Sequence, residues 1–343
     1  MKIKGLEGIK QLVSIKSLFN KAVDKLTQTE VNEFVAFDFG ARYVKGLFVR
    51  DGRVEDAFVE KNKGKRVETA AGLLRKKGLL SKKVKVSLKG QDTLIRYLPF
   101  PKVEKSKIKE VLGYELSKYL PFPQGGTYFD AFILDENYSK EDFFVLLAAV
   151  KKNSIDLLLK EFREEKMNIS EIVLNNVALI NLLLHNQKTT PNIAIVDLGF
   201  SSTLLNLIKK GTPYLSREIK TGVVNLLDKL SVAKSLSIDE IEDWLINSAQ
   251  EKDILTVMEE LFFDLSEEIR NSLDYFEMNA GDRIETVCLT GGGARLKGIV
   301  EVIKTALDIE VKLWERGESL NFKQDKTLSF PPQMMSVVSG LSL

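Results

Sequence analysis

Apolar runs of strand length, broken by glycine turns, begin at residue 34 and return in the middle of the chain. From residue 34 the sequence reads FVAFDFG, then YVKGLFVR, an Asp51-Gly52 turn, then VEDAFVE. Wholly apolar or alternating segments joined by such a turn predict strands in a hairpin meander. The same design recurs at 193–208, IAIVDLGFSSTLLNLI, with a second turn at Lys210-Gly211-Thr212 before the strand 214–219. The repeat, 35–60 against 193–219, is weak in letters and clear in pattern. Between the copies the spacing predicts a helix over 66–80, with Leu73, Leu74, Leu79 and Leu80 on its apolar face, and a strand at 84–88. A mixed module follows: strand 93–100, helix 104–119, strands 128–134 and 143–150, helix 153–166. An apolar helix over 171–185 then leads to a crossover at Pro191-Asn192. Residues 237–280 have helical spacing with little sign of strands, and a strand at 311–315 and a helix at 333–343 complete the pattern. Such alternation implies parallel and mixed sheets flanked by helices.

Composition narrows the class. A chain of 343 residues suits two domains with real cores. Fifty Lys+Arg against 48 Asp+Glu leaves a net charge of +2, which gives no basis for a nucleic-acid partner. The single cysteine, Cys288, excludes an internal disulfide framework and reads as a buried structural thiol in a reducing compartment. The single histidine, His185, leaves no His/Cys metal cluster and reads as a helix-end residue. The strongest apolar runs, 143–150 and 172–184, are too short or too interrupted to span a bilayer, and the first 30 residues lack a signal-peptide pattern. A cytosolic protein is expected. Within residues 1–30, Leu6, Ile9, Leu12, Val13, Leu18 and Phe19 approximate a helical stripe among Lys2, Lys4, Lys10, Lys16 and Lys21, weakened by Gly5 and Gly8. That pattern fits either a basic amphipathic helix for an anionic membrane or partner groove, or a segment packed on its own domain.

The candidate chemistry lies where strands end. Asp38 and Gly40 close the first repeat's strand, Asp197 and Gly199 close the second's, and Gly291, Gly292 and Gly293 follow the apolar segment VCLT. Glycine turns let backbone N–H groups approach phosphate, and two carboxylates can hold Mg²⁺ through its waters. Each turn alone is a common strand ending; the three in this order point to a nucleotide cleft between two related domains. Amides around Gly40, Ala41, Arg42 and Tyr43, and from Gly199 to Ser202, would surround the phosphates, with hydroxyl help from Ser201, Ser202 and Thr203. Lys45 is within reach of a phosphate and also occupies an ordinary alternating strand position. Gly222 precedes the helix after strand 214–219. Gly291–Gly293 precede a helix expected from near Ala294, with Arg295 in its first turn, and a helix N-terminus suits the α-phosphate or ribose.

In this order the segments resemble the phosphate-1, phosphate-2 and adenosine motifs of the actin-like ATPase superfamily. A finer resemblance lies in Pro99-Phe100-Pro101, a helix with a central glutamate, then Tyr119-Leu120-Pro121-Phe122-Pro123 and an alternating strand. Together with residues 267–299 this resembles the PilM family of type IV pilus assembly proteins, and sets the chain apart from the division protein FtsA. The resemblance covers residues 34–343. It implies an α/β, actin-like two-domain ATPase fold with an FtsA/PilM-type inserted subdomain. The expected division is an extension at 1–33; a first domain at 34–92 and 167–190 with the helix 333–343; an insertion at 93–166; and a second domain at 191–332 with a reduced helical part at 226–283.

The resemblance further implies ATP and Mg²⁺ as cofactors, with Asp38 and Asp197 as the metal-side carboxylates. Glu267 and Arg270, three apart on the helix preceding the glycine loop, would meet adenine and ribose. The implied role is a cytosolic scaffold peripheral to the inner membrane, homo-oligomeric, that grips the N-terminal cytosolic tail of a PilN-like single-span protein. Pilus motor or platform proteins are further implied partners. The implied groove lies between the first domain and the insertion, with Tyr97, Phe100, Tyr114, Tyr119 and Phe122 as candidate lining; each of these reads equally well as module core. Two features depart from the pattern. Ala41, Arg42 and Tyr43 stand where serines are common, and Asn175 or Asn176 stands where actin-like ATPases offer a glutamate toward the attacking water. An amide is no general base, so slow or absent hydrolysis is expected. The alternatives are the cytosolic domain of a type II secretion L-type protein, an FtsA-like division protein, and a sugar kinase, for which no acidic base beside a sugar pocket is found.

Overall fold

The structure, a computed structural model, describes residues 32–121, 124–186, 191–248, 251–314, 321–322 and 330–343. The expectations for residues 1–30 and for Phe122 lie outside the described residues. The first apolar run becomes β1 (Glu33–Phe39), which pairs antiparallel with β2 (Tyr43–Arg50), itself paired with β3 (Arg53–Lys61). Asp51 and Gly52 make the β2–β3 turn with φ of 49° and 71°, the left-handed conformations a two-residue hairpin requires. α1 (Arg66–Lys77) ends at Gly78, also left-handed, and returns the chain to β4 (Lys83–Leu88), parallel to β1.

The inserted module is β5 (Thr93–Pro101), α2 (Ile108–Tyr119), β6 (Thr127–Asp135), β7 (Asp142–Lys151) and α3 (Lys152–Glu164), with sheet order β5-β7-β6. Successive side chains of a strand point to opposite faces, so β7, buried along nearly its whole length, is a seam between two layers. Phe143, Val145, Leu147 and Ala149 join Phe100, Leu112 and Leu116 in the module's own core. Phe144, Leu146, Ala148 and Val150 join the core of the first domain.

β8 (Asn168–Leu174) then lies parallel to β4, and α4 (Asn175–Asn186) follows. The helix expected over 171–185 is therefore corrected: its first part is strand. Ile169, Ile172 and Val173 are β-branched, and β4 offers an edge to pair with, so sheet formation outweighs the helical spacing.

The second half repeats the opening. β9 (Ile193–Leu198), β10 (Thr203–Lys209) and β11 (Thr212–Ile219) form a meander whose β10–β11 turn again uses two left-handed residues, Lys210 and Gly211. α5 (Val223–Lys234), α6 (Ile238–Asp243), a π-helical turn at Trp244–Ser248 and α7 (Glu251–Ala280) form the helical part. β12 (Thr286–Thr290), α8 (Ile299–Leu307) and β13 (Glu310–Leu313) complete a five-stranded sheet of order β11-β10-β9-β12-β13. β14 (Asn321–Phe322) returns to β3, so the first sheet runs β14-β3-β2-β1-β4-β8. α9 (Ser336–Leu341) packs on α4 at a glycine contact, where a Cβ on Gly340 would fall 1.8 Å from the Ala178 carbonyl oxygen.

The module also touches the second half. Tyr97 of β5 shares a 2.8 Å hydrogen bond with Ser216 of β11, and the Phe144 and Tyr214 rings lie 6.2 Å apart. Among the described residues, no helix is long and apolar enough to cross a membrane.

Candidate functional site

The two meanders turn their first hairpins toward each other. Each carboxylate is the penultimate residue of its strand, Asp38 in β1 and Asp197 in β9, and each following turn folds back on itself. A Cβ on Gly40 would lie 2.7 Å from the Tyr43 carbonyl oxygen, and one on Gly199 would lie 2.6 Å from that of Ser202. No side chain fits at either place, so the glycines fix the loops close to the cleft. Gly291, at φ 92°, brings the loop after β12 against Asp197: a Cβ there would meet its Oδ1 at 2.2 Å. The Gln333 carbonyl ties this loop to the chain's end, accepting from the Gly291 N–H at 3.1 Å and from Thr290 Oγ1 at 3.0 Å.

The two carboxylates live in different electrostatic settings. Asp38 is buried; Lys45 pairs with its Oδ2, while its Oδ1 accepts from Ser87 at 3.2 Å and from Asn175 Nδ2 at 3.4 Å. Burial disfavours its charge, yet Lys45, Lys89 and Ser87 outweigh burial and hold its pKa below the usual carboxylate value. Asp197, equally buried, has no ion pair within 4 Å among the described residues. Burial pushes its pKa up, and the more distant Lys89 and Lys45 offset this only in part. With both oxygens of Asp38 engaged, the pair is a poor cradle for a hydrated Mg²⁺. Nor do three or more His, Cys, Asp or Glu side chains gather as a metal site among the described residues.

A polar cluster closes the cleft's mouth. Glu242, at the end of α6, accepts from Arg42 Nη2 at 2.9 Å, from Tyr43 Oη at 3.2 Å and from Arg295 Nη2 at 2.8 Å. Arg42 also pairs with Asp239 and lies over the Phe200 ring, 5.4 Å from its centre. Three chain segments, one from the first half and two from the second, thus meet on one carboxylate. Behind them remains a cavity of about 50 Å³, whose lining includes polar Lys45, Lys89 and Asp197 and apolar Leu227, Ile246 and Leu296.

Of the residues anticipated from the sequence, Asp38, Gly40, Ala41, Arg42, Tyr43, Lys45, Asp197, Gly199, Gly292, Gly293 and Arg295 line this one cleft. Gly222 caps α5 and supports the Phe200 backbone, whose carbonyl would lie 2.5 Å from a Cβ at that position. Ser202 and Thr203 turn away, donating to Glu218 at 2.6 Å and to the Thr221 carbonyl at 2.7 Å. Ser201 faces a second cavity, about 800 Å³, shared with Lys89, Gln91, Arg96 and Arg217. Glu267 and Arg270 do not reach the cleft. They pair with each other at 3.8 Å, and Arg270 bonds the Ala306 carbonyl at the end of α8. The helix expected at Ala294 is a single 3₁₀ turn, Gly292–Arg295; α8 starts at Ile299 after a left-handed Gly298, so no α-helix N-terminus faces the cleft from this loop.

Of the two candidate asparagines, Asn175 faces Asp38, with its own buried Oδ1 unpartnered, whereas Asn176 donates to Asn206 in the second half at 3.0 Å. Cys288 is buried and its thiol is pushed up to about 11 by burial. The aromatics expected to line a groove divide. Phe100 is core, Tyr97 is half-buried against Ser216, Tyr119 is half-buried beside Glu115, and Tyr114 is 76% exposed. Sequence reasoning missed Lys89 and Glu242. Lys89 directly follows β4, parallel to β1, and the C-terminal ends of such strands are where ligands collect. Glu242 sits in a short helix, IDEIED, whose four acids leave none singled out by the sequence.

The model of the family described as type IV pilus assembly protein PilM matches residues 42–343. The chain is similar to a protein solved in a PilM-PilN type IV pilus biogenesis complex: 18% identity, covering 91% of this chain and 98% of that one, at a TM-score of 0.79. It is also similar to ethanolamine utilization protein EutJ from Carboxydothermus hydrogenoformans: 12% identity, covering 98% of each, at a TM-score of 0.57. No curated protein matches. The fold is that of the α/β actin-like ATPases.

Proposed function

The chain belongs to the type IV pilus assembly protein PilM family, and we propose that it is a nucleotide-binding scaffold at the inner membrane. In this reading it holds ATP in the cleft and docks the cytosolic tail of a PilN-like single-span protein. The observation that carries the nucleotide reading is the meeting of two duplicated Asp-x-Gly turns with the Gly291–Gly293 loop around one cavity. Phosphates would meet the N–H groups of the turns at Gly40 and Gly199 together with Lys45 and Lys89. The flat faces of adenine suit the apolar lining residues Leu227, Ile246 and Leu296. Glu242 would accept from ribose hydroxyls once Arg42 and Arg295 have swung toward the phosphates. A site for such a ligand needs about 300–1,000 Å³, against the roughly 50 Å³ present, so entry requires the two halves to part. Asp38 is committed to Lys45, Ser87 and Asn175, so the reading concerns the nucleotide and assigns no step to Mg²⁺. Asn175 is no base for water, which supports storage or slow turnover rather than rapid hydrolysis.

For the partner, the supporting features are β6, the outer edge strand of the module, and the exposed Tyr114 on α2. An extended tail adding to a sheet edge gains main-chain hydrogen bonds and places alternate side chains in neighbouring pockets. The family membership and the fold match to a PilM-PilN complex favour this use of the module. Calorimetric titration of the full chain with ATP tests the cleft. Gly292→Val, which places a side chain in the open space of the cleft, should weaken binding by at least about tenfold, and unchanged affinity contradicts the assignment.

A further inference from the structure

The charges inside the cleft bear on a question that family membership leaves open, namely what neutralises the phosphates. Four cationic side chains, Arg42, Lys45, Lys89 and Arg295, face three carboxylates, Asp38, Asp197 and Glu242. Two of the cations, Lys45 and Lys89, act on both Asp38 and Asp197. Lys45 is ion-paired to Asp38. Lys89 reaches over the second phosphate-type turn: its Nζ lies 3.4 Å from where a Cβ on Gly199 would be. It is also the strongest charge acting on Asp197. Lys89 is half-buried at the end of β4, between the cleft and the larger second cavity, so its ammonium can swing toward either without the sheet moving.

Resting on the nucleotide reading above, we propose that Lys89, with Lys45, takes the place of a divalent cation in this cleft, so that ATP binds without Mg²⁺. Like charges at these positions repel a dication, while the same ammonium groups offer compact donors to phosphate oxygens. Glycine at position 199 is what admits Lys89 to the turn, since a side chain there would compete for that space. The site thereby supplies from its own chain the positive charge that a free triphosphate would otherwise bring as its metal.

The test is titration of the full wild-type chain with ATP in excess Mg²⁺ and again in excess EDTA, followed by calorimetry or fluorescence of a labelled nucleotide. The expected affinities agree within about threefold in the two conditions. Lys89→Ala should lose at least about tenfold in EDTA and be partly restored by Mg²⁺, and Lys89→Arg, which keeps the charge, should lose less than Lys89→Ala. Thermal melts establish that the variants are folded. Binding by the wild type in Mg²⁺ that disappears in EDTA overturns the inference while leaving the nucleotide reading intact. Lys89→Ala matching the wild type in EDTA overturns the role of Lys89. Absence of binding in both conditions overturns the nucleotide reading, and this inference with it.

Discussion

Asp38 and Asp197 occupy equivalent places in the two repeats, yet neutralising them should move stability in opposite directions. In Asp38→Asn the amide can still meet Ser87, but the Lys45 ammonium loses its partner in a site where its side chain is 13% exposed. Removing one member of a buried pair costs about 3–5 kcal/mol; Lys45 keeps some access to water, which lowers the cost to about 2–3 kcal/mol. In Asp197→Asn the change removes a buried charge that burial already disfavours and that no ion pair within 4 Å compensates among the described residues, for a gain of about 1 kcal/mol. In a chain of this size each kcal/mol moves Tm by about 2 °C. The expected shifts are therefore about 5 °C down for Asp38→Asn and about 2 °C up for Asp197→Asn. The pH dependence follows the same signs. Asp38, with its folded pKa lowered, contributes stability that is present above the ordinary carboxylate pKa and is lost as pH falls through the folded value. Asp197, with its folded pKa raised, carries a penalty that is full above that raised value and fades as pH falls through it. Calorimetric melts at about pH 7 and about pH 4 measure both, and the gain from Asp197→Asn should shrink at the lower pH. Both variants shifting Tm the same way by similar amounts would refute the electrostatic account of the cleft.

Three further outcomes are expected. Gly340→Ala drives a methyl into the Ala178 carbonyl and should cost at least about 2 kcal/mol in urea unfolding by forcing α9 off α4; a loss under about 0.5 kcal/mol would mean this contact is not close. Tyr97→Phe removes the 2.8 Å bond from the module to Ser216 and should cost about 1 kcal/mol by the same assay, with no change in ATP affinity. Phosphate release from ATP should stay below about 1 s⁻¹ with or without Mg²⁺, and sustained faster turnover would mean that a base other than a residue at position 175 or 176 acts.

The parts of the fold legible in the sequence were those set by strict local rules. The two meanders, with Asp51-Gly52 and Lys210-Gly211 at their turns, follow from alternation plus residues that accept left-handed backbone. The module's order of strand and helix was readable because its prolines and its β7 run, FFVLLAAV, punctuate it. Residues 171–174 misled because the short apolar run Ile172–Leu174 leads directly into the apolar α4 and carries no period that separates helix from strand; only the presence of the β4 edge decides it. In the site, backbone-driven features were legible: glycines where no Cβ fits, and acids at strand ends. Side chains arriving from distant segments were not. Glu242 reaches Arg42 across 200 positions, and Glu267 and Arg270 satisfy the helical spacing but face α8. Phe100 has the composition of a docking aromatic and serves as core, a distinction only packing makes.

Photolabelling with 8-azido-ATP, followed by mass mapping of the modified peptides, tests the central assignment most directly, because it reports where the adenine sits. The account predicts labels in segments 223–246 and 292–298, whose Leu227, Ile246 and Leu296 are apolar lining residues of the cleft, with labelling competed by unmodified ATP. Competed labels confined to the module at 93–166, or none within the cleft segments, would contradict it.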